Sequence, residues 1–263
     1  VEASIMVSSF SLTADIRHSF VTIHSIQEAR NYLAHAKKDS LIFIDVDSTL
    51  TTPSDPYLRR HAIQTHKKIY NSLISDLKRN QKRIFKHLLV RESPSPLVEK
   101  DWPGIITQLQ TKGIKILAFT TVKTGPIQSV LSIFPDWRYK ELGQLGIDFS
   151  PTFPGDTLYE KLEDLGNDHP GTGKGIVYSG YQLSKERALF DILKSIKFVS
   201  SLLILIDDKW ENLETVSMAI QYFFPNMRFI GIHYKAMNYI EPPPTDEHIF
   251  YEKFKSLLEK AKE

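Results

Sequence analysis

Two aspartates one residue apart, Asp45 and Asp47, follow the apolar run Leu41–Ile44 and lead at once into Ser48 and Thr49. An unpaired carboxylate at the end of a buried strand is costly, so such a pair calls for a partner or a task. Two other apolar runs end in comparable residues. Ile114–Phe119 ends in Thr120 and Thr121, and Leu202–Ile206 ends in Asp207 and Asp208. Lys185 opens a helical pattern just before the third run. Each piece has a plain reading alone, since Asp, Ser and Thr bond local backbone in turns and helix caps. A calcium loop of the EF-hand type is excluded, because Leu50 stands where that loop needs Gly and Pro56 replaces its bidentate Glu. The recurrence of these pieces, in this order and each after the same kind of element, is what demands chemistry.

The chemistry that suits them is phosphoryl transfer. Crowded carboxylates repel and coexist around a hard cation, and Mg²⁺ takes oxygen ligands while keeping positions for water and phosphate. One aspartate can attack phosphorus and divide hydrolysis into two displacements. A carboxyl two residues on can protonate the leaving oxygen and then deprotonate the attacking water. A hydroxyl and an ammonium at the same edge can hold the phosphoryl oxygens.

For these residues to meet, the apolar runs must be neighbouring parallel strands. Leu41–Ile44, Ile114–Phe119, Leu202–Ile206 and the weaker Arg228–Ile232 lack polar alternation, which fits strands buried on both faces. Helical patterns over Ser25–Ala36, Trp102–Lys112, Pro126–Phe134, Lys185–Ile196 and Asn212–Phe223 lie between them. The alternation predicts an α/β, Rossmann-like fold: a mainly parallel sheet with helices on both faces and sites beyond the carboxyl ends of its strands. Leu58–Val90 departs from the alternation. It carries apolar Tyr70, Leu73, Ile74, Leu77, Ile84, Phe85 and Leu88 at helical spacing, opposite Lys67, Lys68, Lys78, Arg79, Lys82, Arg83 and Lys86. It reads as a small helical cap of one long helix or two shorter ones, closed by the Pro-containing return Ser93–Gly104. The expected division is a core of residues 1–53 and 104–263 with a cap insertion at 54–103. The basic face is either a solvated surface or an attraction for an anionic substrate or membrane. The region Ser150–Gln182 reads as a long irregular loop. Its "GTGKG" is not a phosphate loop, since Asp168 and Gly175 stand where that motif needs Gly and Ser or Thr.

The stretches "DVDST", "ILAFTT", "SKERALFDIL" and "LILIDDKWENL" resemble the four motifs of the haloacid dehalogenase (HAD) superfamily, most of whose members are phosphatases. The resemblance covers roughly Phe20 to Tyr234. It implies Asp45 as nucleophile, Asp47 as general acid/base, Thr120 as phosphate-binding hydroxyl and Lys185 as positioning lysine, with Lys174 and Lys194 as competing lysines. It further implies Mg²⁺ bound by Asp45, the backbone carbonyl of Asp47 and one acid of the Asp207–Asp208 pair. Asp208 is favoured as the ligand, with Asp207 one step removed. Asp47 separates phosphatases from the carbon-attacking dehalogenases, which generally lack that second aspartate. The insertion falls where the superfamily places its smaller cap. Trp137–Ser150 is similar to a little-characterised bacterial subgroup from host-associated species.

Composition sets bounds without choosing a substrate. The 263 residues are 41% hydrophobic and 24% charged, and 33 Lys and Arg against 31 acids give a formal charge of +2, which predicts no nucleic-acid partner. The absence of cysteine excludes a disulfide scaffold, Cys-ligated zinc and a thiol nucleophile. No window predicts a membrane span or a Sec signal, so the expectation is a soluble chain of cytoplasmic type, with export by another route left open. Val1 in place of Met reads as processing or a cloning remnant, with Met6 as a natural start. The leading functional expectation is a Mg²⁺-dependent phosphomonoesterase acting on a phosphoprotein side chain or a small metabolite. The alternatives are a HAD-like effector or binding module that uses the basic helical face on membranes or phosphorylated partners, and phosphotransfer to a sugar or nucleoside.

Overall fold

The computed structural model describes residues 17–121, 134–151, 156–158, 171–180, 184–195, 199–240 and 242–263. In chain order the strands are β1 (His18–Ile23), β2 (Ser40–Asp45), β3 (Lys115–Thr120), β4 (Asp156–Leu158), β5 (Gly171–Gly173), β6 (Ile176–Tyr178), β7 (Leu202–Asp207) and β8 (Arg228–Tyr234). The helices are α1 (Ile26–Leu33), α2 (Arg60–Thr65), α3 (Lys67–Ser75), α4 (Arg79–Arg91), α5 (Trp102–Thr111), α6 (Phe134–Gln144), α7 (Lys185–Ser195), α8 (Trp210–Phe223) and α9 (Glu247–Lys262). All described strands join one sheet in the order β1-β8-β7-β2-β3-β6-β5-β4. Its pairs are parallel except β4 with β5 and β5 with β6.

The apolar runs become the centre of this sheet because both their faces are covered. Every residue of β2 and of β7 is buried. Ile42, Ile44, Ile116, Ala118, Ile204 and Ile206 point to one side, where Ala29 of α1, Ile105 and Ile106 of α5, and Leu142 of α6 pack. Leu41, Phe43, Leu117, Phe119, Leu203 and Leu205 point to the other, against Leu189 and Ile192 of α7 and Leu213 and Val216 of α8. Alternate side chains thus serve two cores, which leaves the runs no polar position. The mainly parallel α/β architecture with helices on both faces is as the sequence predicts.

Two expectations differ in detail, and a third falls almost wholly outside the described residues. The Leu58–Val90 segment holds three helices after a short turn at Pro56–Leu58, not one or two. The helical run breaks at His66, whose φ of −103° and ψ of 31° leave the helix, and again where Leu77 turns into the core before Lys78 extends. The predicted apolar positions do share a cluster, and its other half is α9: Phe250, Phe254, Leu257, Leu258 and Ala261. Within Ser150–Gln182, the described residues include antiparallel β4, β5 and β6, with β5 and β6 joined by Lys174 and Gly175. Gly175 has φ of +77°, and a Cβ there would lie 2.2 Å from the carbonyl oxygen of Phe149, so "GTGKG" is turn chemistry. The helix predicted over 126–134 lies outside the described residues except Phe134.

Candidate active site

Strand order brings the motif residues together. β2 lies between β7 and β3, Asp45 is in register with Phe119, and Ile44 with Ile206. Asp45, Thr120 and Asp207 therefore end neighbouring strands at one sheet edge. After Asp45 the chain turns tightly. The Val46 carbonyl accepts from the amides of Leu50 at 2.9 Å and Thr51 at 3.0 Å, and Ser48 has φ of +70°. The Trp102 indole, fully buried, donates to the Thr49 carbonyl at 3.1 Å and ties this turn to α5.

Asp45 is 6% exposed, and its two oxygens have separate partners. Lys185 Nζ donates to Oδ1 at 2.5 Å, and Thr49 Oγ1 donates to Oδ2 at 3.0 Å. The same ammonium reaches Asp207 Oδ2 at 2.6 Å. Burial alone would pull the Lys185 pKa down, but Asp45 and Asp207 outweigh it and hold the amine above its ordinary range. Burial pushes the Asp45 carboxyl well above the usual carboxylate range; Lys185 opposes that, while Asp207 and Asp208 add to it. The lysine at the start of α7 is thus the one at the edge. Lys174 lies over the Tyr139 ring and Lys194 over the Phe190 ring.

The adjacent acids have different surroundings. Asp207 is fully buried and accepts from the Lys209 amide at 2.8 Å and from Asn212 Nδ2 at 3.0 Å, besides Lys185. Asp208 faces a cleft of about 710 Å³ and pairs with Arg60 Nη1 at 2.7 Å. Burial raises its pKa, with Arg60 opposing and Asp207 adding. One oxygen each from Asp45, Asp207 and Asp208 can be chosen so that all lie within 4.8 Å of one another. An all-oxygen, carboxylate-rich set fits a hard divalent cation such as Mg²⁺. Asp208 is the freer of the adjacent pair for such a role, because Asp207 is already enclosed by donors.

Asp47 turns its side chain away from that cluster. Oδ2 accepts from Thr120 Oγ1 at 3.2 Å, and Oδ1 pairs with Arg138 Nη2 at 2.8 Å. Asp47 also lines the cleft. Sequence reasoning did not single out Arg138, Glu141, Arg60, Thr49 or Asn212. Asn212 stands five residues after Asp207 and Thr49 four after Asp45, inside quoted motifs, so spacing could have named both. Arg60 begins α2 with no local pattern. Arg138 sits four positions before buried Leu142 on α6, a core position held by an arginine, and that is a readable signal.

Residues 22–262 match the model of a family described as "Protein of unknown function (DUF2608)". An "Uncharacterized protein" of Rickettsia felis is 25% identical over 226 residues, covering 80% of this chain and 74% of that protein. "Uncharacterized protein RT0286" of Rickettsia typhi is 26% identical over 213 residues, covering 78% of this chain and 70% of that protein. The solved HAD domain of effector protein Lem4 from Legionella pneumophila (inactive mutant) aligns with 87% of this chain and 97% of its own. That alignment has a TM-score of 0.40 and 9% sequence identity.

Proposed function

The chain belongs to the DUF2608 family, and from the residues at its sheet edge we propose that it is a HAD-type phosphomonoesterase working through an aspartyl-phosphate. The observation that carries this reading is Asp45. It is a buried carboxylate at the end of the central strand, fixed by Lys185 and Thr49 and crowded by Asp207 and Asp208.

Asp45 is the nucleophile: its carboxylate oxygen bonds to phosphorus as the bond from phosphorus to the leaving oxygen breaks. The Asp47 carboxyl gives its proton to that leaving oxygen. A water then attacks phosphorus, Asp47 takes the proton from it, and the bond from Asp45 to phosphorus breaks to free phosphate. Thr120 and Lys185 stand at the same edge to hold phosphoryl oxygens, a task that suits a hydroxyl and a fixed ammonium. Asp45, the Asp47 backbone carbonyl and Asp208 would hold Mg²⁺, with Asp207 anchoring Lys185 beside them. When bound, Mg²⁺ supplies positive charge against the negative charge that develops on the phosphoryl oxygens.

The cleft bordered by Asp47, Asp208, Arg60 and His61 from α2 and its flank, and Lys235 after β8, is larger than a phosphoryl group needs. Its size suits an organic leaving group, whether a metabolite or a protein side chain. The segment 54–103 supplies part of that wall and is the proposed cap. The test is turnover of aryl phosphates with Mg²⁺, its loss with EDTA, and acid-stable phosphoenzyme labelling that disappears in Asp45→Asn. Full activity of Asp45→Asn would overturn the covalent reading. Tight Mg²⁺ binding without turnover of any phosphomonoester would leave a binding module in its place.

A further inference from the structure

Arg138 is a fully buried charge at the site for which the proposed reaction has no task. It lies on α6, is 0% exposed, and its guanidinium divides between two carboxylates. Nη2 meets Asp47 Oδ1 at 2.8 Å, and Nη1 meets Glu141 Oε1 at 3.4 Å and Oε2 at 3.5 Å. Glu141 is one helical turn on, so α6 presents the guanidinium and its internal counter-charge as one unit. The Trp137 ring, 4.9 Å from the guanidinium carbon, covers another side.

A buried guanidinium costs several kcal/mol unless its charge is met, so its placement against Asp47 is a strong local requirement. The Asp47 side chain is 40% exposed toward the cleft, whereas Arg138 behind it is wholly enclosed. Arg138 on Oδ1 and Thr120 on Oδ2 leave that carboxyl little rotational freedom. The guanidinium also offsets one of the four carboxylates crowding this edge. Its planar fork sends separate nitrogens to the two acids, Nη2 to Asp47 and Nη1 to Glu141.

We infer that Arg138 is the positioning residue for Asp47, fixing the acid/base carboxyl relative to the leaving oxygen from outside the four sequence motifs. This rests on the phosphatase reading given above. Arg138 is wholly enclosed behind Asp47 and also meets Glu141, so it reaches the reaction through the Asp47 carboxyl and not by direct contact. A purely structural arginine would instead slow all substrates alike and independently of Asp47.

The experiment is a double-mutant cycle between Arg138→Gln and Asp47→Asn, with single-turnover rates on aryl phosphates of graded leaving-group pKa. In the wild-type background Arg138→Gln should slow poor leaving groups by about 10- to 10²-fold, the usual penalty of a misplaced group. Good leaving groups should be slowed less. In the Asp47→Asn background the same change should cost less than about twofold, because coupled residues do not add. Arg138→Lys, which keeps the buried charge but not the fork, carries the same cycle if the Gln variant does not fold, with an intermediate loss. Equal losses in both backgrounds, or equal losses across the leaving-group series, overturn the inference while leaving the phosphatase reading standing. A wild type with no phosphomonoester turnover overturns both.

Discussion

Lys185 and Asp45 are 140 positions apart in sequence, yet the ammonium lies 2.5 Å from the carboxylate oxygen and joins it to Asp207. This contact ties the start of α7 to the ends of β2 and β7. The three groups are enclosed, so removing the shared cation leaves two buried carboxylates near each other without the positive charge between them. Lys185→Met should therefore lower stability by roughly 3–5 kcal/mol, the range for breaking a buried pair from one side. Added Mg²⁺ should raise the melting temperature more in this variant than in the wild type, because the cation then supplies the missing positive charge. Thermal denaturation with and without Mg²⁺ gives both numbers. A variant as stable as the wild type in EDTA would mean that the pair contributes nothing.

The adjacent acids should separate into a structural and a metal-binding role. Asp207→Asn places an amide among donors that all require an acceptor, Lys185, the Lys209 amide and Asn212, and so should destabilise the fold. Asp208→Asn removes a charge that faces the cleft and pairs with half-exposed Arg60, so stability should change little. Mg²⁺ affinity should fall more in Asp208→Asn than in Asp207→Asn. Calorimetric titration beside urea unfolding separates the two. The reverse ranking of affinities would exchange the two assignments.

Glu141 makes a pH prediction with a definite sign. Burial pushes its carboxyl from 4.5 up to about 7, with Arg138 opposing and Asp47 adding. Between these values the folded protein holds a proton that the unfolded chain has released, so stability falls as pH rises from about 4.5 to about 7. Glu141→Gln keeps a neutral side chain at every pH and removes that slope. The variant should therefore gain on the wild type between pH 5 and pH 8 by on the order of 1–3 kcal/mol. Urea unfolding of both proteins at the two pH values measures it. A constant difference would show that Glu141 titrates alike folded and unfolded.

The parts legible in the sequence were those where one physical demand dominated. Leu41–Ile44 and Leu202–Ile206 read as strands because both faces of β2 and β7 are buried. Their polar endings then located the edge where Asp45, Thr120 and Asp207 meet. β1 was not legible, since an edge strand with exposed Ser19 and Phe20 lacks both an unbroken apolar run and clean alternation. β5 and β6, three residues each around a glycine turn, are too short for any period to register. The apolar spacing of Leu58–Val90 identified a helical face, but a one-sequence pattern does not name its partner. That partner is α9, more than 150 residues later in the chain. Arg138 escaped although its place four residues before buried Leu142 puts it on the core face of α6, because an arginine by type reads as a solvated helix charge.

The packing of that insertion bears on its basic surface. Lys67, Lys68 and Lys82 are exposed, while Tyr70, Leu73, Phe85 and Leu88 beside them are engaged with α9. An amphipathic helix binds a membrane by burying its apolar face in the interface, and here that face is already occupied. Attraction to an anionic bilayer could then come from the basic side chains, at about 1 kcal/mol each near the surface and screened by salt. Reversing Lys67, Lys68 and Lys82 together to Glu should leave the melting temperature nearly unchanged, since surface changes usually stay within about 0.5 kcal/mol each. Neither the wild type nor the variant should sediment with phosphatidylserine vesicles at physiological salt. Wild-type sedimentation that the triple variant loses would instead make this face a membrane contact, and its persistence in high salt would require that α9 release the apolar side.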